Sequence, residues 1–187
     1  MQRRQFSLGF VAAAALPLWG CAGHAANRDA TARQWAETLA GIEHAAQGRL
    51  GVAMLDTGTG LALGWRQDER FAMASTFKAV LAGWILALVD QGKERLDARV
   101  HYATADVVAY SPVSGPRAGA GGGLTVGELC SATVSLSDNT AANVLLARHG
   151  GPAGFTAFVR SLGDEVTRLD RTEPTLNEAA VGDPRDT

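Results

Sequence analysis

Ser75-Thr76-Phe77-Lys78 sets a hydroxyl and an amine three residues apart. On a helix such positions share a face, so Ser75 Oγ and Lys78 Nζ can meet. A serine hydroxyl is a weak nucleophile until a neighbour accepts its proton. A lysine can be that neighbour where burial lowers its basicity. Unpaired backbone N–H groups at a helix entry favour a developing anion nearby. As a bare motif, Ser-x-x-Lys is expected about once by chance in a chain of this size. Composition sharpens it: Lys78 and Lys93 are the only lysines, against fifteen arginines. Arginine is not deprotonated in proteins and cannot serve as the base. One of two scarce lysines therefore lies in an apolar stretch, three residues after a serine, which points to a nucleophile–base pair.

Two further constellations fit the same chemistry. In Ser137-Asp138-Asn139, Asp138 is a natural N-cap for the helix that follows. Ser137 could relay a proton, and the Asn139 amide could bind a carbonyl or amide of a substrate. In Glu173-Pro174-Thr175-Leu176-Asn177, a carboxylate and an amide four residues apart could hold one water between them. The carboxylate would take the proton and the amide would fix the position. In isolation, Glu173 reads better as a solvated loop carboxylate.

The elements that must position these residues follow from apolar periodicity. Residues 31–47 read as a helix with Trp35, Leu39, Ile42 and Ala46 in one stripe, stopped by Gly48. Residues 50–56 and 61–65 read as two strands joined by the turn 57–60. A second helix is expected from about Ser75 to Asp90, apolar on nearly all sides and therefore central, with Gly92 as its C-terminal stop. Residues 114–123 read as a flexible surface loop. Thr125 and Glu128 form a capping box that opens a helix through Val134. Two more helices are expected, over about 140–149 and from Pro152 to Leu162. The stretch 168–187 reads as a loop, and no further clear strand is apparent.

Composition narrows the class. The chain has 187 residues, a formal net charge of −2 and 47% apolar residues, enough for a domain with a real core. Nothing points to nucleic acid or to an anionic membrane surface. Residues 1–25 read as an export signal. Arg3-Arg4 precede an apolar run, Leu8 to Leu18, that is too short to span a bilayer. The paired arginines with Phe6 resemble a twin-arginine signal. Leu18-Trp19-Gly20-Cys21 resembles a lipoprotein box, so a lipid anchor at Cys21 is the second choice to a free periplasmic form. With Cys130 as the other cysteine, no intrachain disulfide is expected in the mature domain. Cys130 reads as a small core residue. The four histidines lack metal-ligand spacing, so no metal site is expected.

Ser75-x-x-Lys78, Ser137-Asp138-Asn139 and the Glu173–Asn177 loop recur in order and spacing in the class A serine β-lactamases, which the chain resembles over residues 26–187. Leu129 to Asn143, Leu169 to Glu178 and Gly182 to Thr187 carry the likeness. The resemblance implies an α+β fold, a helical lobe packed beside an antiparallel sheet of which only the N-terminal hairpin is present. It implies a cofactor-free monomer acting on a small β-lactam. Ser75 would open the lactam ring, with Lys78, or Glu173 through a water, as the base. Ser137 would protonate the leaving nitrogen, and Glu173 with Asn177 would hold the hydrolytic water. Asn139 would bind the substrate's side-chain amide. Tyr110 resembles the aromatic at the rim of the site, with a packing tyrosine as the lesser alternative. Arg171 and Asp186 resemble the ion pair that closes the Glu173 loop, although alone they could be solvated charges.

The family's Lys-Thr/Ser-Gly element, the remaining strands and the closing helix are not in the sequence. The chain is therefore expected to be the N-terminal portion of such an enzyme. Ala74 stands where some carbapenem-hydrolysing members carry a disulfide-forming cysteine, which argues against that subgroup. A penicillin-binding D,D-peptidase shares the first two motifs but lacks the Glu173–Asn177 loop. A non-catalytic penicillin sensor would lack the deacylating glutamate, and an inert fragment is the remaining alternative.

Overall fold

The structure, a computed structural model, describes residues 20–180 and 182–187. Of the expected export signal, residues 1–19, with Arg3, Arg4 and Phe6, lie outside the described residues, as does the side chain of Cys21. The chain divides into two compact units, residues 1–69 and 70–187.

The first unit holds helix α1 (Gly20–Ala46) and an antiparallel hairpin, β1 (Val52–Asp56) and β2 (Leu61–Trp65), in register Val52 to Trp65. The helix begins earlier than the apolar stripe alone suggests, since Ala25 to Ala40 is alanine-rich and free of Gly and Pro. The stripe is only partly buried: Leu39 is covered, while Ile42 is exposed. The turn is an Asx turn. Asp56 accepts the Gly58 N–H (2.8 Å) and the Thr59 hydroxyl (2.6 Å). Glu43 ties helix to hairpin by accepting Trp65 Nε1–H at 2.7 Å and pairing with Arg66 at 2.9 Å.

The second unit is built on α2 (Phe77–Asp90), packed against α3 (Val126–Leu136), α4 (Asn139–Arg148) and α5 (Gly151–Ser161). Phe77, Leu81 and Ile85 of α2 are fully buried with Leu129, Leu145 and Phe155. Phe77 meets Phe155 edge-on at 6.1 Å, and Trp84 stacks on Phe158 at 5.8 Å. Among the described residues Val80 and Leu86 of α2 stay exposed, at 36% and 47%. The expectation of burial all round is thus corrected.

The cap signals appear in the structure. Thr125 and Glu128 bond reciprocally at the start of α3, and Asp138 caps α4 through the Ala141 N–H at 2.9 Å. Gly92 takes a left-handed φ of 68° just past α2. Two elements depart from expectation. A second small ladder, β3 (Arg99–Val100) with β4 (Leu124–Thr125), is too short to show alternation in sequence. The stretch 114–123 is not a loose loop. Ser114 is fully buried, and Gly123 N–H bonds the Arg117 carbonyl at 2.7 Å. Glycine is required there: a Cβ on Gly122 would lie 2.1 Å from the Arg117 oxygen. Cys130 is half-buried against the core, and burial pushes its thiol up to about 11. Among the described residues no helix is long and apolar enough to cross a membrane.

Candidate active site

Ser75 sits in a single 3-10 turn, Ala74–Thr76, that leads into α2, so the helix proper starts two residues later than expected. Its side chain is open to solvent, whereas Lys78, on the first turn of α2, is 2% exposed. Lys78 Nζ donates to Ser75 Oγ at 3.1 Å. The sequence spacing therefore produces the contact it predicts.

The other motifs converge on the same amine. Ser137 terminates α3 in a left-handed conformation, φ 55°, which brings both its Oγ (3.1 Å) and its carbonyl (2.9 Å) to Lys78 Nζ. Asn139 opens α4 and accepts from Lys78 through Oδ1 at 2.6 Å. Glu173, 2% exposed, places Oε1 at 2.9 Å from Lys78 Nζ and 3.3 Å from Ser75 Oγ. Its Oε2 accepts the Asn177 amide at 2.6 Å. Five oxygens thus crowd an amine that has at most three protons to donate. A buried ion pair adds little to stability once desolvation is counted. What the arrangement offers is two hydroxyls, a carboxylate and an amide gathered within hydrogen-bond reach of one amine.

Arg171 and Asp186 meet at the base of the stretch that carries Glu173. Arg171 Nε pairs with Asp186 Oδ2 at 2.6 Å, and Asp186, fully buried, also accepts the Asp170 and Arg171 N–H groups at 2.7 and 2.9 Å. The Glu173–Pro174 peptide is cis. Tyr110 stands apart from the polar cluster, 66% exposed, its carbonyl accepting the Asn139 N–H at 3.0 Å.

Strain gathers here. Of the six non-glycine residues with positive φ among those described, Ala74, Tyr110, Ser137 and Asp186 belong to the site or its loop. Each left-handed residue costs about 1–2 kcal/mol and persists only where its surroundings over-determine it. Asp138 supplies much of that constraint at Ser137. Burial works to raise its pKa, but bonds from Ser114, Ala141 and Val113 outweigh burial and hold the carboxyl below its usual range.

Sequence reasoning gave no role to Asn143. Its Oδ1 accepts the Glu173 N–H at 3.0 Å and its Nδ2 donates to the Glu173 carbonyl at 2.8 Å, so one amide brackets the peptide of the buried glutamate. The only signal was its place one helical turn after Asn139.

Comparison with known proteins agrees with this geometry. The β-lactamase family profile matches residues 28–187. An ancestral (GNCA) class A β-lactamase is 63% identical, with a TM-score of 0.78, over 81% of this chain and 57% of that one. The class A β-lactamase of the last common ancestor of Gram-negative bacteria is 61% identical, with a TM-score of 0.77, over 81% and 57%. PenP from Rhodopseudomonas palustris, described as a class A β-lactamase, is 57% identical, with a TM-score of 0.77, over the same shares. The chain therefore spans just over half the length of these structures. It belongs to the β-lactamase family, in its class A branch.

Proposed function

We propose that the full-length protein hydrolyses β-lactams through an acyl-enzyme on Ser75. The observation that carries this reading is the reach of Ser75 Oγ to both Lys78 Nζ (3.1 Å) and Glu173 Oε1 (3.3 Å), with Ser137 Oγ 3.1 Å beyond that amine. Ser75 Oγ attacks the lactam carbonyl carbon, and its proton passes to Lys78 or, through a water, to Glu173. The C–N bond breaks, and the nitrogen takes a proton by way of Ser137. A water then attacks the Ser75 ester, Glu173 accepts its proton, and Asn177 holds it in line. The ester bond breaks, the opened acid leaves and Ser75 regains its hydrogen. Asn139 binds the substrate's side-chain amide, and Arg171 with Asp186 keeps the Glu173 loop closed. Each proton has a protein carrier, so these steps call for no cofactor.

The finer parts of the reading rest on the sequence. The protein acts as a monomer in the periplasm, exported by the twin-arginine route that Arg3 and Arg4 suggest, with a lipid anchor at Cys21 as the second form.

The test is Glu173→Ala in the full-length protein. Benzylpenicillin should still acylate Ser75, and mass spectrometry should show an adduct that persists while wild-type adduct disappears. Turnover at the wild-type rate would refute the role of Glu173. A wild-type adduct that never clears would mark a sensor instead.

A further inference from the structure

The geometry points to Thr140 and Ser111 as positioning residues for Tyr110: their paired hydroxyls fix the turn that carries this aromatic and so set its stance toward a substrate's acyl side chain. This rests on the reading of the cleft as a β-lactam site.

Tyr110 has a φ of 61° and is largely exposed, so side-chain burial does little to hold it. Its backbone is held instead from α4. Val108 N–H donates to Thr140 Oγ1 at 2.9 Å. The Ser111 and Thr140 hydroxyls lie 2.7 Å apart, and Ser111 Oγ lies 2.9 Å from the Val108 carbonyl. Hydroxyl protons rotate to suit their partners. One arrangement uses every donor once. Val108 N–H donates to Thr140, the Thr140 hydroxyl to Ser111, and the Ser111 hydroxyl back to the Val108 carbonyl. The Thr140 N–H closes on Ser111 Oγ at 3.2 Å. Thr140 is fully buried, so losing its oxygen would leave the Val108 N–H without its partner in a place water reaches poorly.

Asn139 also grips this turn, its side-chain amide donating to the Ala109 carbonyl and its backbone N–H to the Tyr110 carbonyl, but that side chain also accepts from Lys78. Changing Asn139 would therefore disturb the chemistry as well as the turn. The hydrogen bonds of the Thr140 and Ser111 side chains go only to the turn and to each other. They are the part of the clamp that can be altered separately from the reacting groups.

The experiment compares Thr140→Val, Ser111→Ala and Thr140→Ser with the wild type in the full-length protein. The substrates are benzylpenicillin, which has an aromatic acyl group, and 6-aminopenicillanic acid, which has none. Thr140→Val should raise KM for benzylpenicillin roughly 3- to 10-fold, the worth of one hydrogen bond, and leave kcat within about 2-fold. KM for 6-aminopenicillanic acid should not move, and Thr140→Ser should restore the benzylpenicillin value. In a Tyr110→Gly background, Thr140→Val should have no further effect on KM. Equal losses on both substrates, a fall in kcat alone, or an undiminished effect in the Tyr110→Gly background would overturn the inference and place Thr140 in general support of α4. Should Thr140→Val fail to fold, the half-buried Ser111→Ala answers the same question. A wild-type protein that neither penicillin acylates would overturn the β-lactam reading itself, an outcome distinct from all of these.

Discussion

Glu173 and Glu94 are both almost fully buried, at 2% and 6% exposure, and both face a cation. Around Glu173 the cation is Lys78, itself buried, and the next neighbours are the Ser75 and Ser137 hydroxyls and two amides. Around Glu94, just past the far end of α2, Arg148 reaches both carboxylate oxygens, the Arg95 N–H donates at 2.8 Å and His149 Nε2 stands 3.1 Å away. The Trp84 ring covers His149 at 5.8 Å. The Arg148 hydrogen bond, chiefly, holds the Glu94 carboxyl below its usual range. A guanidinium gives up no proton, and among the described residues no hydroxyl is hydrogen-bonded to Glu94. A buried carboxylate therefore meets groups able to move a proton in one place and a fixed cation in the other, and the role proposed for Glu173 rests on that difference.

Removing the proposed nucleophile should break this comparison most sharply. Ser75→Ala in the full-length protein should abolish acylation and cut turnover by about 10⁴-fold or more. Its melting temperature should stay close to wild type, because the side chain is exposed. Mass spectrometry after incubation with benzylpenicillin, and a melting curve, give the two readouts. A covalent adduct on the variant would show that another residue is the nucleophile.

Glu94→Gln should do the reverse. It keeps the shape, removes the charge that Arg148 meets, and should cost about 1.5–3 kcal/mol of stability. Arg148 is 38% exposed and can turn to water, which keeps the loss well short of that for a fully buried pair. Below the melting transition, kcat and KM should match wild type. Denaturant unfolding measures the first effect. A large fall in kcat with intact folding would place Glu94 in the catalytic apparatus and erase the contrast.

The contrast also sorts what was legible in the sequence. Ser75 and Lys78 lie one helical turn apart, and Thr125 with Glu128 is a purely local signal, so spacing was enough for both. The turns after Asp56 and around Gly92 were equally local. Glu94 with Arg148 and His149, Asn143 with Glu173, and Ser111 with Thr140 are joined across 29 residues or more. No periodicity encodes such pairs, and each residue alone reads as ordinary. The open face of α2 misled for a related reason. Val80 and Leu86 are apolar, yet only the packing of neighbouring helices decides which apolar residues are covered. Ser114 was read as loose because glycines surround it, although Asp138, more than twenty residues away, holds both its N–H and its hydroxyl.

The smallest expected effect is in the pH dependence of stability and belongs to His149. Burial, first, lowers its pKa below the ordinary 6.5, with Arg148 adding in the same direction and Glu94 pulling back less strongly. Its Nε2 stands 3.1 Å from a Glu94 oxygen, which favours the charged form, but burial outweighs that pull. The folded protein therefore favours the neutral ring. Well above the unfolded pKa of about 6.5, the ring is neutral in both states and its contribution to stability is fully present. As pH falls through about 6.5 the unfolded chain takes up the proton first, and stability is lost until the depressed folded pKa is passed. Between pH 7.5 and 5.5 the melting temperature of wild type should fall further than that of His149→Phe, whose ring can keep the Trp84 contact. His44 and His101 are exposed and common to both proteins, so they cancel in the difference. Turnover by the two proteins should respond to pH alike, since His149 lies in the cohesive cluster and not the reactive one. Parallel melting curves across this range would show that the buried imidazole carries no pH-dependent stability.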